Sequence, residues 1–424
     1  MLQLVKIEPS SLADYASLVG EEEIESIRSL GRSLKGLRVL HLSATAYGGG
    51  VAEILARLVP LMRDAGIMAE WRIIYGSDEF FNVTKTLHNA LQGADVALDE
   101  GRRAVYERFS ALNAEAFDGE YDVVVVHDPQ PAAVPALRER KGARRWIWRC
   151  HIDTSHANLG VWSYLKSFLL PYDAAIFTLP QYVPADSPFP RLSFIPPSID
   201  PLAAKNSPLD RAEASRVLAR LHVDPNRPLL LQVARFDPWK DPLGVIDSYR
   251  MVKIEVPTVQ LVLAGSMATD DPEGWDYYER TLRHAGADYD IRVLHNLHGV
   301  GDLEINALQT LADVVIQKST REGFGLSVSE ALWKGTPVVA GDVGGIPLQV
   351  IEGETGYLVT GPLACAERVY SLLRQPELRS ALGTRGREHV RQRFLITRHL
   401  KDYLELFGSL LTPSPTDPGK ERLQ

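Results

Sequence analysis

Short apolar runs, each ending in turn chemistry and followed by residues at helical spacing, recur along this chain. LRVLHL (37–42) has the continuous apolar character of a strand buried on both faces. It runs into Gly48-Gly49-Gly50 and then VAEILARLVPLMRDAG, whose apolar positions follow a helical period that stops at Gly66. EWRIIY (70–75), DVVVVH (122–127), RWIWRC (145–150) and AAIFT (174–178) continue the strand series. Helical segments intervene around 85–117 and 158–169. Strands alternating with helices in this way predict a doubly wound parallel sheet.

The segment PPSIDPLAAKNSP (196–208), rich in proline and small polar residues, reads as a linker. A second series follows it: PLLLQV (228–233), VQLVLAG (259–265), IRVLH (291–295), DVVIQ (313–317) and TPVVA (336–340). The expectation is an α/β protein of two Rossmann-like domains with a hinge near 197–200. The first spans residues 1–197 and is joined by a C-terminal helix at 395–412, and the second spans 198–394. The proline-bearing end, 413–424, is expected to be a flexible tail. Open α/β sheets bind ligands beyond the carboxyl ends of their strands, so the chemistry is expected in a cleft that two such edges share.

Size and composition agree with that division. A chain of 424 residues suits two cores of about 200 residues each better than one. Apolar residues at 45% and charged residues at 24% are the balance of a globular protein. The net charge of −8 gives no basic field, which argues against nucleic-acid or membrane partners held by bulk electrostatics. Two cysteines far apart, Cys150 and Cys365, suggest a reducing compartment and no disulfide framework. The start lacks a charged n-region followed by an apolar stretch, and no apolar run nears the roughly 18 residues of a membrane span. A cytoplasmic protein is expected.

The chemistry concentrates in STREGFGLSVSEALWKGTPVVA (319–340). Following strand DVVIQ, Glu322 to Gly325 occupy a loop at a strand's carboxyl end, and a helix runs from about Leu326 to Lys334, closed by Gly335. Gly323 and Gly325 let backbone N–H groups approach a ligand, and the helix start favours negative or hydroxyl-rich groups. Glu322 is placed to accept sugar hydroxyls. Glu330 lies roughly 7 to 9 Å further along by helical rise, a reach suited to a ribose. Either acid alone is compatible with an ordinary helix charge; the combination with the glycines is what points to a site.

In QVARFDPWKDP (232–242), Arg235 and Lys240 sit in the loop after strand PLLLQV, with Asp241 and Pro242 reading as N-cap and first residue of the next helix. Two cations there suit a diphosphate. The Gly48–Gly50 run, at the first strand–helix turn, is either a close backbone approach to a ligand or a tight turn. His151, in RCHIDTSH (149–156), ends a strand, as do His127 and Asp128. Asp128, Gln130 and Asp153 are candidates to bind an acceptor sugar. Asn82 and Lys85, in FFNVTKTLHNALQG (80–93), have no packing explanation and join them.

Glu322-x7-Glu330 with Gly-Phe-Gly between, followed by Lys-Gly-x-Pro-Val and Gly-Gly-Ile-Pro, resembles the nucleotide-sugar site of retaining glycosyltransferases with the two-domain GT-B fold. That resemblance implies a donor site of Gly48, Gly49, Gly50, Gly323, Phe324, Gly325, Leu326 and Glu330. It implies catalytic roles for Arg235, Lys240, Glu322 and His151, the last close to the donor sugar. Many relatives carry glycine after the lysine, where this chain has Asp241.

Further segments, SATAYGGGVAEIL, EFFNVTKTLHNALQG, VVHDPQPAA, WRCHID, PPSIDPL, RFDPWKDP and DDPEGWDYYE, resemble the trehalose glycosyltransferring synthases. The resemblance implies transfer of glucose from UDP- or ADP-glucose to free glucose, with an α,α-1,1 linkage, retention, and release of a nucleoside diphosphate. No Asp-x-Asp metal motif stands out, so Arg235 and Lys240 are expected to offset the leaving charge. No tightly bound cofactor is expected, with Mg2+ only a stimulant. The partners are small-molecule substrates and, at most, a second copy of the chain in a homodimer. A trehalose phosphorylase, or another retaining glucosyltransferase on the same scaffold, is the alternative reading, and a non-catalytic sugar-nucleotide-binding module is the third.

Overall fold

The computed structural model describes residues 1–267 and 272–412. The expected tail 413–424 and the first two residues of DDPEGWDYYE lie outside the described residues. The chain divides into two units, Met1–Pro197 with the segment from Ile396 on, and Ser198–Leu395.

The N-terminal unit is built on a seven-stranded sheet of β1 (Gln3–Leu4), β2 (Arg38–Ser43), β3 (Met68–Ile73), β4 (Tyr121–His127), β5 (Ala143–Arg149), β6 (Ala174–Phe177) and β7 (Leu192–Phe194). Their order is β1-β3-β2-β4-β5-β6-β7; β1 is antiparallel to β3 and the remaining pairs are parallel. Valines at 123, 124, 125 and 126 in β4 are all fully buried, as a central parallel strand covered on both faces requires. The helix Ile396–Leu411 belongs to this unit's core: Leu400, Tyr403, Leu404 and Phe407 pack with Ile24, Ile27, Val39 and Leu55.

The C-terminal unit carries a parallel six-stranded sheet of β8 (Leu229–Val233), β9 (Gln260–Gly265), β10 (Ile291–His295), β11 (Val314–Gln317), β12 (Val338–Gly341) and β13 (Gly356–Val359). The order is β10-β9-β8-β11-β12-β13. Its core joins Leu230, Leu261, Leu263, Ile316 and Val339 to Val245, Tyr249, Val369 and Leu372 of the covering helices.

Both sheets reverse direction of winding once. In the first, the chain steps outward from β2 to β3 and then returns to place β4 on the other side of β2. In the second, it steps from β8 to β9 and β10, then places β11 beside β8. The gaps between β2 and β4 and between β8 and β11 are the switch points at which open α/β sheets hold ligands. Most sequence-expected strands appear within two residues of their expected bounds. The helical stretch expected around 85–117 is two helices, Asp78–Leu91 and Glu100–Ala116, capped by the Ser77 and Asp99 side chains.

Candidate functional site

In the C-terminal unit the switch point is lined by charge. After β8 the chain makes a short 3-10 turn, Pro238–Lys240, whose N-cap Asp237 accepts hydrogen bonds from the N–H groups of Trp239 and Lys240 at 2.9 and 3.0 Å. The Gln232 amide donates to the Lys240 carbonyl at 2.7 Å. Thr320 N–H, from the loop after β11, donates to the Trp239 carbonyl at 2.8 Å. These bonds brace one loop against the other, and across them Lys240 Nζ pairs with the Glu322 carboxylate. The two side chains are only 16% and 10% exposed. Arg235 pairs with Asp237 at 3.2 Å and is 64% exposed.

Behind this pair lies a second one, Lys318 with Asp241, the helix N-cap that accepts from Gly244 N–H at 3.0 Å. Asp241 adopts a left-handed conformation, φ 48°, normally the preserve of glycine. Its carboxylate, engaged by Lys318 and by the helix N-terminus, compensates for that backbone.

The loop Glu322–Gly325 leads into the helix Leu326–Trp333, with Gly325 as N-cap at φ 82° and no side-chain cap bond. Phe324 is buried. The loop is fixed from behind by Gln349, whose amide donates to the Phe324 carbonyl at 2.5 Å while accepting from the Ser329 hydroxyl at 2.6 Å. A Cβ added to Gly345 would lie 2.7 Å from the Gly323 carbonyl oxygen. The Gly-Gly-Ile-Pro segment thus presses directly on the Gly-Phe-Gly loop. Glu330 is buried in that helix and pairs with Lys205 at 2.7 Å. Lys334, one turn on, donates to Gln309 at 2.9 Å, and burial pulls its ammonium down to about 8. Lys205 lies in the stretch that reads as linker, so nothing in its spacing announced it as Glu330's partner.

In the N-terminal unit the corresponding edge is built differently. Gly48 and Gly49 lie at φ 71° and 79° at the start of the helix Gly49–Asp64, with Gly50 in its first turn. A Cβ at either of the first two would meet nothing within 4 Å, so backbone conformation, not crowding, is what favours glycine there. Asn82 and Lys85 are exposed, three residues apart on the helix after β3. Asp128 and Gln130 follow β4, and His151 and Asp153 follow β5; all four are partly exposed. Asp128 sits at φ 64° and accepts the His151 backbone N–H at 2.8 Å. Burial pushes its carboxyl up to about 7, against the opposing pull of that N–H and of Arg149. Asp153 accepts from the Ser155 hydroxyl at 2.6 Å.

Two further histidines complete this edge. His41, deep in β2, and His127, the last residue of β4, form a hydrogen-bonded line with His151. Read in sequence, His41 is one polar position inside an apolar strand, and only strand pairing brings it against His127. Arg149, fully buried beside them, has none of its guanidinium nitrogens bonded among the described residues. Among those residues no group of three or more His, Cys, Asp or Glu is arranged to hold a metal ion, and no helix is long and apolar enough to cross a membrane.

Comparison with known proteins fits this architecture. The model for the trehalose synthase N-terminal domain matches residues 41–184, and that for group 1 glycosyl transferases matches residues 217–389. A trehalose synthase of Rubrobacter xylanophilus is 54% identical over 97% of this chain and 100% of its own length. That of Pyrococcus horikoshii is 49% identical, covering 94% of this chain and 96% of the relative. The solved structure of a UDP-forming α,α-trehalose-phosphate synthase from Burkholderia xenovorans matches with a TM-score of 0.69 at 16% identity, covering 88% of this chain and 100% of that one; at such identity the likeness concerns the fold alone. Two doubly wound units matched by these two models, and relatives about half identical along nearly the whole of both chains, make this chain a member of the trehalose synthase family of GT-B glycosyltransferases.

Proposed function

We propose that the protein transfers glucose from a nucleoside-diphosphate glucose to free glucose with retention, making α,α-trehalose and releasing the nucleoside diphosphate. The observation that carries this reading is the Lys240–Glu322 pair at the β8/β11 switch point. It holds a cation and a carboxylate side by side where a sugar diphosphate has need of both. Lys240 and Arg235 stabilise the charge that grows on the departing diphosphate. Glu322 accepts hydroxyls of the donor glucose, and amides of 323–325 approach its polar edge. Glu330 accepts the ribose hydroxyls. On the other unit, Gly48–Gly50 approach the diphosphate, while Asn82, Lys85, Asp128, Gln130 and Asp153 bind the acceptor glucose and His151 lies by the transferred sugar. Retention follows from attack on the face the diphosphate leaves, with a phosphate oxygen taking the acceptor proton.

The test is product analysis. With UDP- or ADP-glucose and glucose, the purified protein is expected to form a non-reducing disaccharide whose NMR spectrum shows two equivalent α-anomeric protons. A reducing product, or none across a panel of nucleoside-diphosphate glucoses, would refute the reading. Disaccharide formed from glucose and glucose 1-phosphate, with release of phosphate and with no nucleoside-diphosphate glucose able to replace it, would assign the protein as a phosphorylase instead.

A further inference from the structure

Three imidazoles climb one face of the N-terminal sheet across its switch point. His41 in β2 pairs in register with Val125 of β4. His127, two residues further along β4, pairs with Arg149 of β5, and His151 is two residues beyond that. Each step therefore moves one strand across and two residues toward the carboxyl edge, about 7 Å along the strand direction. Residues two apart share a sheet face, so the rings meet: His41 Nδ1 to His127 Nε2 at 3.0 Å, and His127 Nδ1 to His151 Nε2 at 3.1 Å. The line begins fully buried at His41 and ends at the partly exposed His151.

The rings are neutral. Burial takes His41 down to about 3 and holds His127 and His151 well below the usual imidazole range, with the buried Arg149 cation acting in the same direction on the last two. A neutral imidazole has one N–H and one lone pair. Two hydrogen bonds among three such rings permit two proton orders only: every ring protonated on Nδ1, or every ring protonated on Nε2. The two orders differ at the ends. In the second, His41 Nε2 carries a proton, and this buried atom has no hydrogen-bond acceptor among the described residues. The Tyr403 ring lies near the His41 ring, at 5.7 Å between centroids. In the first order the same atom is a bare lone pair. Orphaned buried N–H groups are the rarer defect in proteins, and the first order avoids one.

We propose that His41 and His127 are positioning residues that fix His151 as a neutral hydrogen-bond donor, its Nδ1–H turned outward to an oxygen of the bound sugar. This rests on the reading of the protein as a sugar transferase. In that setting His151 holds a hydroxyl or ring oxygen in place and takes no proton from the acceptor, which leaves the proton to the departing diphosphate. Four of the six ring nitrogens are spent on one another and one on the sugar, with His41 Nε2 left as the buried lone pair, which is why neither His41 nor His127 needs to touch substrate to affect its binding geometry.

The assignment is read directly from long-range 1H–15N correlation spectra of the full chain labelled in its 11 histidines, with resonances assigned through His41→Asn, His127→Gln and His151→Asn. Protonation at Nδ1 in all three rings at neutral pH is expected. Free neutral histidine favours Nε2–H, so an unconstrained ring would give the opposite pattern; finding Nε2–H at His151, or a charged ring in the line, overturns the proposal. Kinetics supply the second arm. Asparagine places its amide nitrogen where His41 has Nδ1, so His41→Asn keeps the donor and should retain kcat within about threefold, whereas His41→Leu removes it. The loss expected for an orienting partner of this kind is about 10- to 100-fold in kcat. Equal kcat in the two folded variants, whether both impaired or both unimpaired, would contradict the role. The spectra need no turnover, so failure of the proposed reaction and failure of the proton order are separately visible.

Discussion

The two switch points of this protein are bridged by opposite chemistry. Between β8 and β11 the bridge is ionic: Lys240 meets Glu322, with Lys318–Asp241 behind it and Lys205–Glu330 one helix turn along. Between β2 and β4 it is neutral, His41 to His127, and a carboxyl close by, Asp128, is itself pushed toward its uncharged form by burial. A sheet edge that is to receive an anion gains from cations already held in place, each balanced by a carboxylate while the ligand is absent. An edge that is to receive an uncharged sugar gains more from hydrogen-bonding groups of fixed direction, which the neutral imidazoles supply even beside the buried Arg149 guanidinium. The contrast matches the proposed division of labour, a diphosphate-bearing donor on the C-terminal unit and a plain hexose on the N-terminal one.

The contrast breaks first at Lys240 and Glu322. Lys240→Met and Glu322→Gln are each expected to lower kcat by about 10²- to 10³-fold. Because the two side chains act as a unit, the double variant should be little worse than the poorer single one. Steady-state rates of the four proteins decide this: fully multiplicative losses would mean that the pair is not a functional unit. A smaller effect is expected at Glu330. There, Glu330→Gln should raise the donor KM about tenfold, on the order of 1.4 kcal/mol, while kcat stays within about twofold. A drop in kcat at unchanged KM would place Glu330 at the reacting sugar, not the ribose.

The neutral side gives the finest test, and it is thermodynamic. In the folded protein Asp128 titrates at about 7 rather than at its ordinary 3.8. Between roughly pH 4 and pH 7 the unfolded chain has lost that proton and the folded chain keeps it, so this residue costs stability as pH rises through the window. The depressed histidines act in the other direction: below about pH 6.5 the unfolded state gains protons that His41, His127 and His151 in the folded state refuse, so their contribution falls as pH falls. Asp128→Asn removes the first effect and leaves the second. Its melting temperature relative to the parent protein should therefore climb from pH 4 to pH 7 and level off above. A flat difference would show that Asp128 is ionised throughout that window.

Much of the scaffold could be read from the chain because buried parallel strands have to be apolar along their whole length. DVVVVH and PLLLQV admit little else. The strands that escaped notice are those with the weakest demand of this kind: β1 with two residues, β7 with Ser193 between two exposed apolar neighbours, and β13, which opens on Gly356. For the candidate site, the type of residue was legible and the pairing was not. Glu322 and Lys240 stood out from their loops, but 82 residues separate them, and only the adjacency of β8 and β11 brings them together. His41 gave no signal at all, because a histidine within an apolar strand looks like any satisfied core residue until the register of β2 on β4 is known. Lys205 was hidden by its surroundings, a stretch whose prolines and small residues speak of a connection and not of a counter-ion.

The helix Ile396–Leu411 completes the N-terminal core although the whole C-terminal unit precedes it in the chain. Synthesis runs from the amino end, so when the last residue of the first sheet emerges, Ile24, Ile27 and Leu55 still lack part of the surface that will cover them. The C-terminal unit is one uninterrupted stretch and can close as soon as it is made. The first sheet must wait for a segment added nearly two hundred residues later, so the order in which the cores mature is the reverse of the order in which they are translated. A chain stopped at residue 395 would carry a finished second unit and an open first one, with its apolar face available to other chains instead of to its own helix Ile396–Leu411.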